Sequence, residues 1–162
     1  MIPILSDCVR EVFEDSLVSL ALFGSVARGD FKSESDIDIF ITIQDKPKSR
    51  SERSHLILNK LLPLYKKRGE SLYPNVILPE LHPIIRDKAQ VLEGGFLYLD
   101  LVSEAKILVD KDGFFQNHLE QFARKMKEWG SQKFTEPDGY YWIVKPGLQK
   151  GEVLDLSTKE IV

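Results

Sequence analysis

Apolar positions along the chain alternate between a helical and a two-residue period, and this alternation predicts the elements. Leu5, Val9 and Val12 recur at helical spacing across residues 3–14, which predicts an opening helix. Residues 17–23, LVSLALF, form a nearly continuous apolar run whose length fits a buried strand, closed by Gly24-Ser25. Residues 25–29 fit a helical turn and residues 30–35 a polar loop. Residues 35–43 then alternate strictly. Ile37, Ile39, Ile41 and Ile43 share one face of this predicted strand, and Asp36, Asp38, Phe40 and Thr42 share the other.

Beyond a polar loop at 45–54 the pattern predicts a helix over 52–62, interrupted or ended near Pro63. A third strand is predicted at 73–78, then helix in two pieces over 79–102 broken at Gly94-Gly95, and a fourth strand at 105–109. Asp112 is expected to cap an amphipathic helix whose stripe is Phe115, Leu119, Phe122, Met126 and Trp129, with Gly130 ending it. The chain closes on a hairpin-like pattern, with residues 140–144, a Lys145-Pro146-Gly147 turn and residues 152–156. Strands separated by helices predict an α/β fold.

With 162 residues, 43% of them apolar, the chain has the size and core content of a single domain. Its 22 bases against 25 acids leave a net charge of −3, which excludes bulk electrostatic capture of nucleic acid. Lys46, Lys48, Arg50 and Arg53 are read as a solvated loop, with contact to a polyanion as the alternative. Cys8 stands alone, so a disulfide framework and a thiolate zinc cage are excluded, and a small buried apolar role is expected for it. No apolar run approaches the ~18 residues of a membrane span and no signal peptide opens the sequence, so a soluble, cytoplasmic protein without a membrane partner is expected. His55, His82 and His118 lie far apart with no ligand spacing, so no metal–histidine site is expected; His118 falls beside the helical stripe as a packed or half-exposed residue.

Candidate chemistry concentrates in residues 23–40, FGSVARGDFKSESDIDIF. Gly24 and Ser25 stand where a buried strand gives way to a helical turn, so the backbone there is open to a phosphate and its N–H groups point at an anion. Arg28, one turn further, is a candidate phosphate contact or a solvated helix residue. Asp36 and Asp38 point to one side of their strand, and two adjacent carboxylates are stabilised by a divalent cation between them. Hard oxygen ligands suit Mg²⁺, which completes its shell with phosphates and water. Tyr140, Tyr141 and Trp142 are read as a strand that covers the core with two of the three rings, with base stacking as the alternative.

The pairing of Gly24-Ser25 with Asp36-Ile37-Asp38 resembles the signature of the polymerase-β-type nucleotidyltransferase superfamily, and GSVARGD…SDIDIF is similar to its small stand-alone prokaryotic members. The likeness is strong over residues 1–80, and the C-terminal part resembles an extension found in some archaeal members. The resemblance implies a mixed sheet flanked by helices, with residues 1–110 as the core and 111–162 as a C-terminal helix and hairpin packed on it. It implies two Mg²⁺ ions held by Asp36 and Asp38, and a triphosphate held by Gly24 and Ser25. The implied reaction moves a nucleoside monophosphate from a nucleoside triphosphate to a hydroxyl of a small molecule, an RNA end or a protein, releasing pyrophosphate. The alternative is a nucleotide-binding regulatory or antitoxin-like module beside a helical partner protein, with weak or no turnover.

The family also carries a third acid on the third strand. A strand–helix–strand crossover makes the second and third strands parallel, so that acid belongs near the start of the third strand. With the strand placed at 73–78, this register selects Asn75, which lacks a carboxylate, and leaves Glu80 about 16 Å further along an extended chain.

Overall fold

The computed structural model describes residues 1–44 and 49–159, with the Arg50 side chain left aside. The predicted basic loop therefore falls in part, at Lys46 and Lys48, outside the described residues. The two apolar runs read first become strands β1 (Leu17–Phe23) and β2 (Ile37–Ile43). With β3 (Leu81–Asp87) and β4 (Lys106–Asp110) they build a sheet in the order β3-β2-β1-β4. β1 is antiparallel to both neighbours, whereas β2 and β3 run parallel, so the sheet is mixed.

Each face of the sheet carries its own apolar layer. Ile37, Ile39, Ile41 and Ile43 pack against Leu5 and Val9 of helix α1 (Ile2–Phe13), together with Leu61 and Tyr65. Cys8 is buried in this layer, as expected of a small apolar group. Phe40 and Ala21 point to the opposite layer, among Val91, Tyr98, Leu101, Phe115 and Phe122. There the predicted stripe is the buried face of a helix at Phe114–Trp129, which Gly130 ends in the left-handed conformation at φ 68°. Burying an Ile or Phe side chain contributes ~1.5–3 kcal/mol. A one-residue slip of β2 would forfeit several such burials and drive Asp38 into the core.

Among the described residues, five further α-helices lie between α1 and that last one. α2 (Gly24–Arg28) follows β1, and α3 (Arg50–Leu56) leads through a π-helical turn (Ile57–Leu61) into α4 (Leu62–Leu72). Pro63 was expected to interrupt or end this helix near residue 62. Its ring collides with the carbonyl four residues back, and the chain relieves the collision by widening one turn, the Leu62 N–H donating to the Ile57 carbonyl, and continues for nine residues beyond it. α5 (Lys88–Leu92) and α6 (Leu97–Glu104) flank the Gly94-Gly95 break, and α7 (Phe114–Trp129) completes the set.

Four expectations are corrected. Residues 73–78 form no strand: Pro74 and Asn75 make a turn, and the third strand is Leu81–Asp87, within the stretch expected to be helical. Pro83 argues against a strand in sequence, but β3 is an edge strand, where a missing N–H costs no ladder bond on the open side. The cap of α7 is Asp110, whose two carboxylate oxygens accept from the Phe115 and Gln116 N–H groups at 2.9 Å, while Asp112 sits in the preceding turn at φ 54°. The hairpin pairs β5 (Gln132–Glu136) with β6 (Gly139–Ile143), and not residues 140–144 with 152–156.

His118 is buried on α7 between aromatic rings, its centroid 4.3 Å from that of Tyr98, and its Nδ1 shares a 2.6 Å hydrogen bond with Thr158 Oγ1. Burial lowers its pKa from 6.5 to about 4. The unfolded chain therefore binds the proton first as pH falls, and stability declines between pH ~6.5 and ~4. Integrating between pH 7 and 5 gives a loss of about 2 kcal/mol from this residue. Urea denaturation of His118→Gln at the two pH values should show a correspondingly flatter dependence than the parent protein.

Candidate active site

The parallel pairing of β2 with β3 assembles the site. Ile37 lies opposite Leu81 and Asp38 opposite His82, and the Ile37 N–H donates to the Glu80 carbonyl at 2.8 Å. Asp36 and Glu80, one residue before their strands, are thereby brought level. Side chains two apart share a face, so Asp36 and Asp38 stand beside Glu80 and His82 at the N-terminal ends of the two strands. One ligand atom each of Asp36, Glu80 and His82 lies within 4.8 Å of the others. The His82 ring stands between the aspartates, Nε2 3.5 Å from Asp36 Oδ2 and Nδ1 3.7 Å from Asp38 Oδ1.

Glu80 is the carboxylate that the parallel register brings beside Asp36, whereas Asn75 lies exposed in the turn before it. With β3 at Leu81–Asp87 instead of 73–78, the parallel register puts Glu80 level with Asp36, where the sequence had selected Asn75. Glu80-Leu81-His82 repeats the polar–apolar–polar spacing of Asp36-Ile37-Asp38 and was the available signal. His82 was expected to stand apart from any ligand set; the strand pairing brings it beside Asp36 and Glu80, which are distant from each other in sequence.

Asp38 is held above the usual carboxylate range, mainly by burial. The charge of Asp36 adds to the rise, while His82 and Arg28 oppose it. Its carboxylate packs against Gly24, which adopts φ +67°; a Cβ placed on Gly24 would fall inside contact distance of Asp38 Oδ2. The turn glycine is therefore required by the aspartate as well as by its own backbone conformation. Ser25 follows in α2, its carbonyl accepting from the N–H groups of Gly29 and Asp30.

Arg28 is engaged elsewhere. Its Nε bonds Asp30 Oδ2 at 3.0 Å and its Nη1 bonds Glu104 Oε2 at 2.8 Å. Glu104 also accepts from Lys133 at 2.8 Å, and Lys133 reaches Asp100 at 3.1 Å while lying 3.7 Å over the Tyr140 ring. Trp142 Nε1 donates to the same Asp100 oxygen at 3.0 Å. A chain of charges thus runs from the hairpin to the turn beside Asp38. Tyr140 and Tyr141 remain about half exposed while Trp142 packs against the core, so one ring covers it where two were expected.

Two grooves flank the site. One of about 510 Å³ is lined by Phe23, Asp38, Ile57, Leu58, His82 and Ile84. The other, about 550 Å³, reaches Glu80 along Tyr65, Val76, Ile77 and Leu78. Among the described residues no helix is long and apolar enough to cross a membrane.

A family model described as a nucleotidyltransferase domain matches residues 2–160, and the chain belongs to this family. It is 28% identical over 131 residues to a Methanocaldococcus jannaschii protein named "Putative protein adenylyltransferase MJ1305", covering 74% of this chain and 84% of the relative. Among solved structures, it is similar to spectinomycin adenyltransferase AAD(9) from Enterococcus faecialis with ATP and spectinomycin. That match has 14% identity and a TM-score of 0.45, covering 96% of this chain and 59% of the other. A chain from the complex of tri-AMPylated Shewanella oneidensis HEPN toxin with MNT antitoxin aligns at 16% identity and a TM-score of 0.42, over 80% of this chain and 93% of that one. The mixed sheet flanked by helices is the nucleotidyltransferase fold.

Gly24→Ala should lose about 1–3 kcal/mol of stability, because it combines a left-handed backbone with displacement of Asp38. Gly29→Ala, at φ +86° but in open space, should lose only ~1 kcal/mol. Urea titration of both variants measures the difference.

Proposed function

We propose that the chain is a divalent-metal-dependent adenylyltransferase that moves AMP from ATP to a hydroxyl of an acceptor protein. The observation that carries this reading is the convergence of Asp36, Asp38 and Glu80 beside the Gly24–Ser25 turn. The donor set is rich in hard carboxylate oxygen, which fits Mg²⁺, and these three acids would hold the two ions expected from the sequence. Ions held there supply charge neutralisation for the triphosphate and stabilise the attacking and leaving oxygens.

The protein's own groups have separable tasks in this reading. Gly24 and Ser25 offer backbone N–H groups and a hydroxyl to the triphosphate. The acceptor oxygen forms a bond to the α-phosphorus, the bond from that phosphorus to the α–β bridging oxygen breaks, and pyrophosphate leaves. Glu80, exposed at the mouth of the second groove, receives the acceptor's proton.

A protein acceptor is favoured by two observations. The relative from Methanocaldococcus jannaschii carries that activity in its name over most of the aligned length. The rim beside Glu80 is apolar, with Val76 about half exposed and Ile77 97% exposed, which suits a protein surface better than a sugar or a nucleic-acid backbone.

Transfer of label from α-³²P-ATP, with pyrophosphate release measured in parallel, tests the reading in a lysate of the source cells. Asp36→Asn, Asp38→Asn and Glu80→Gln should each lower labelling of a protein band at least 100-fold with the fold intact by circular dichroism. Asn75→Asp should leave it unchanged. Labelling that survives Glu80→Gln removes the third carboxylate from the reaction, and labelling confined to RNA or a small molecule overturns the protein acceptor.

A further inference from the structure

We infer that His82 is an inner-sphere ligand of the carboxylate site and tunes it toward a divalent transition ion, with Mn²⁺ preferred over Mg²⁺. The inference rests on the metal-dependent reading above and extends it to the identity of the ion. Three observations lead there. His82 offers a ring nitrogen to the same small volume as the Asp36 and Glu80 carboxylates, all within 4.8 Å. The backbone fixes this placement, since the ladder sets His82 opposite Asp38 and two residues after Glu80 on the same face. The ring is also bracketed by both aspartates, at 3.5 and 3.7 Å, so it needs no large movement to face an ion that they hold.

The chemistry follows from donor type. Mg²⁺ is a hard ion that favours oxygen, retains water and gains little from imidazole. First-row transition ions bind nitrogen more strongly, and mixed carboxylate–imidazole sets select them. Mn²⁺ is the member closest to Mg²⁺ in its tolerance of carboxylate-rich sites, so it isolates the contribution of the nitrogen. Two carboxylates and one imidazole then leave open positions for phosphate oxygens and water.

The probe is Mn²⁺ alone, titrated into the full chain and followed by loss of the free-ion electron paramagnetic resonance signal; Mg²⁺ affinity is read by competition. The parent protein should bind Mn²⁺ at least 10-fold more tightly than Mg²⁺, and electron spin-echo modulation of the bound ion should show coupling to ¹⁴N. His82→Gln should abolish the nitrogen modulation and bring the Mn²⁺/Mg²⁺ ratio close to one, with Mg²⁺ affinity changed less than 3-fold. Absence of ¹⁴N coupling in the parent protein, or a ratio unaltered by His82→Gln, overturns the inference. Asp36→Asn supplies the separate check: if it leaves binding of both ions intact, the carboxylate site itself is misassigned, whereas loss of binding there with an unaltered ratio in His82→Gln refutes the role of His82 alone. His82→Ala, which keeps the strand but removes any polar replacement, repeats the test should the glutamine amide itself ligate.

Discussion

The parallel pairing of β2 with β3 is the constraint on which the rest of the site depends. Neither strand alone carries the whole cluster: Asp36 and Asp38 stand at the start of β2, and Glu80 and His82 at the start of β3. A ladder has a period of two, so one residue of slip on either strand would turn its polar pair away from the other. The register is held by burial of the four isoleucines against α1 and the α4 region on one side and of Phe40 on the other. The free energy that positions the acids therefore resides in buried apolar residues outside the cluster.

β1 contributes through its end. Because it is antiparallel to β2, its C-terminal residue Phe23 pairs with Asp38, and the chain must turn immediately beside that carboxylate. Glycine is the residue that turns there without a Cβ in the way. The Gly24 turn and the Asp38 carboxylate are thus one packing unit. Their spacing in sequence, Gly24 to Asp38, is the length of a short helix and loop needed to return the chain antiparallel.

What was legible in the sequence was what short-range periodicity encodes. The alternation at 35–43 gave the faces of β2, and the stripe from Phe115 to Trp129 gave the buried side of α7. The glycine–aspartate signature pointed to the family before any fold was in hand. Illegible was what depends on position within the sheet. Pro83 disqualifies a central strand and is tolerated at an edge, and only tertiary structure says which β3 is. With that strand misplaced, the sequence could not bring Glu80 and His82 beside Asp36. Asp110 and Asp112 show the same limit more locally: two residues of the same type compete for one cap, and the left-handed turn at Asp112 decides between them.

Proline on β3 has one more consequence, for how the molecule meets its surroundings. The strand that follows Glu80 and bears His82 is the last in its sheet, and an unpaired strand edge is a template onto which another chain can add. Pro83, one residue past His82, removes a donor from that edge and breaks the continuity such an addition would need. The edge of the sheet beside the site is thereby left exposed while being made a poor seed for sheet-to-sheet self-association.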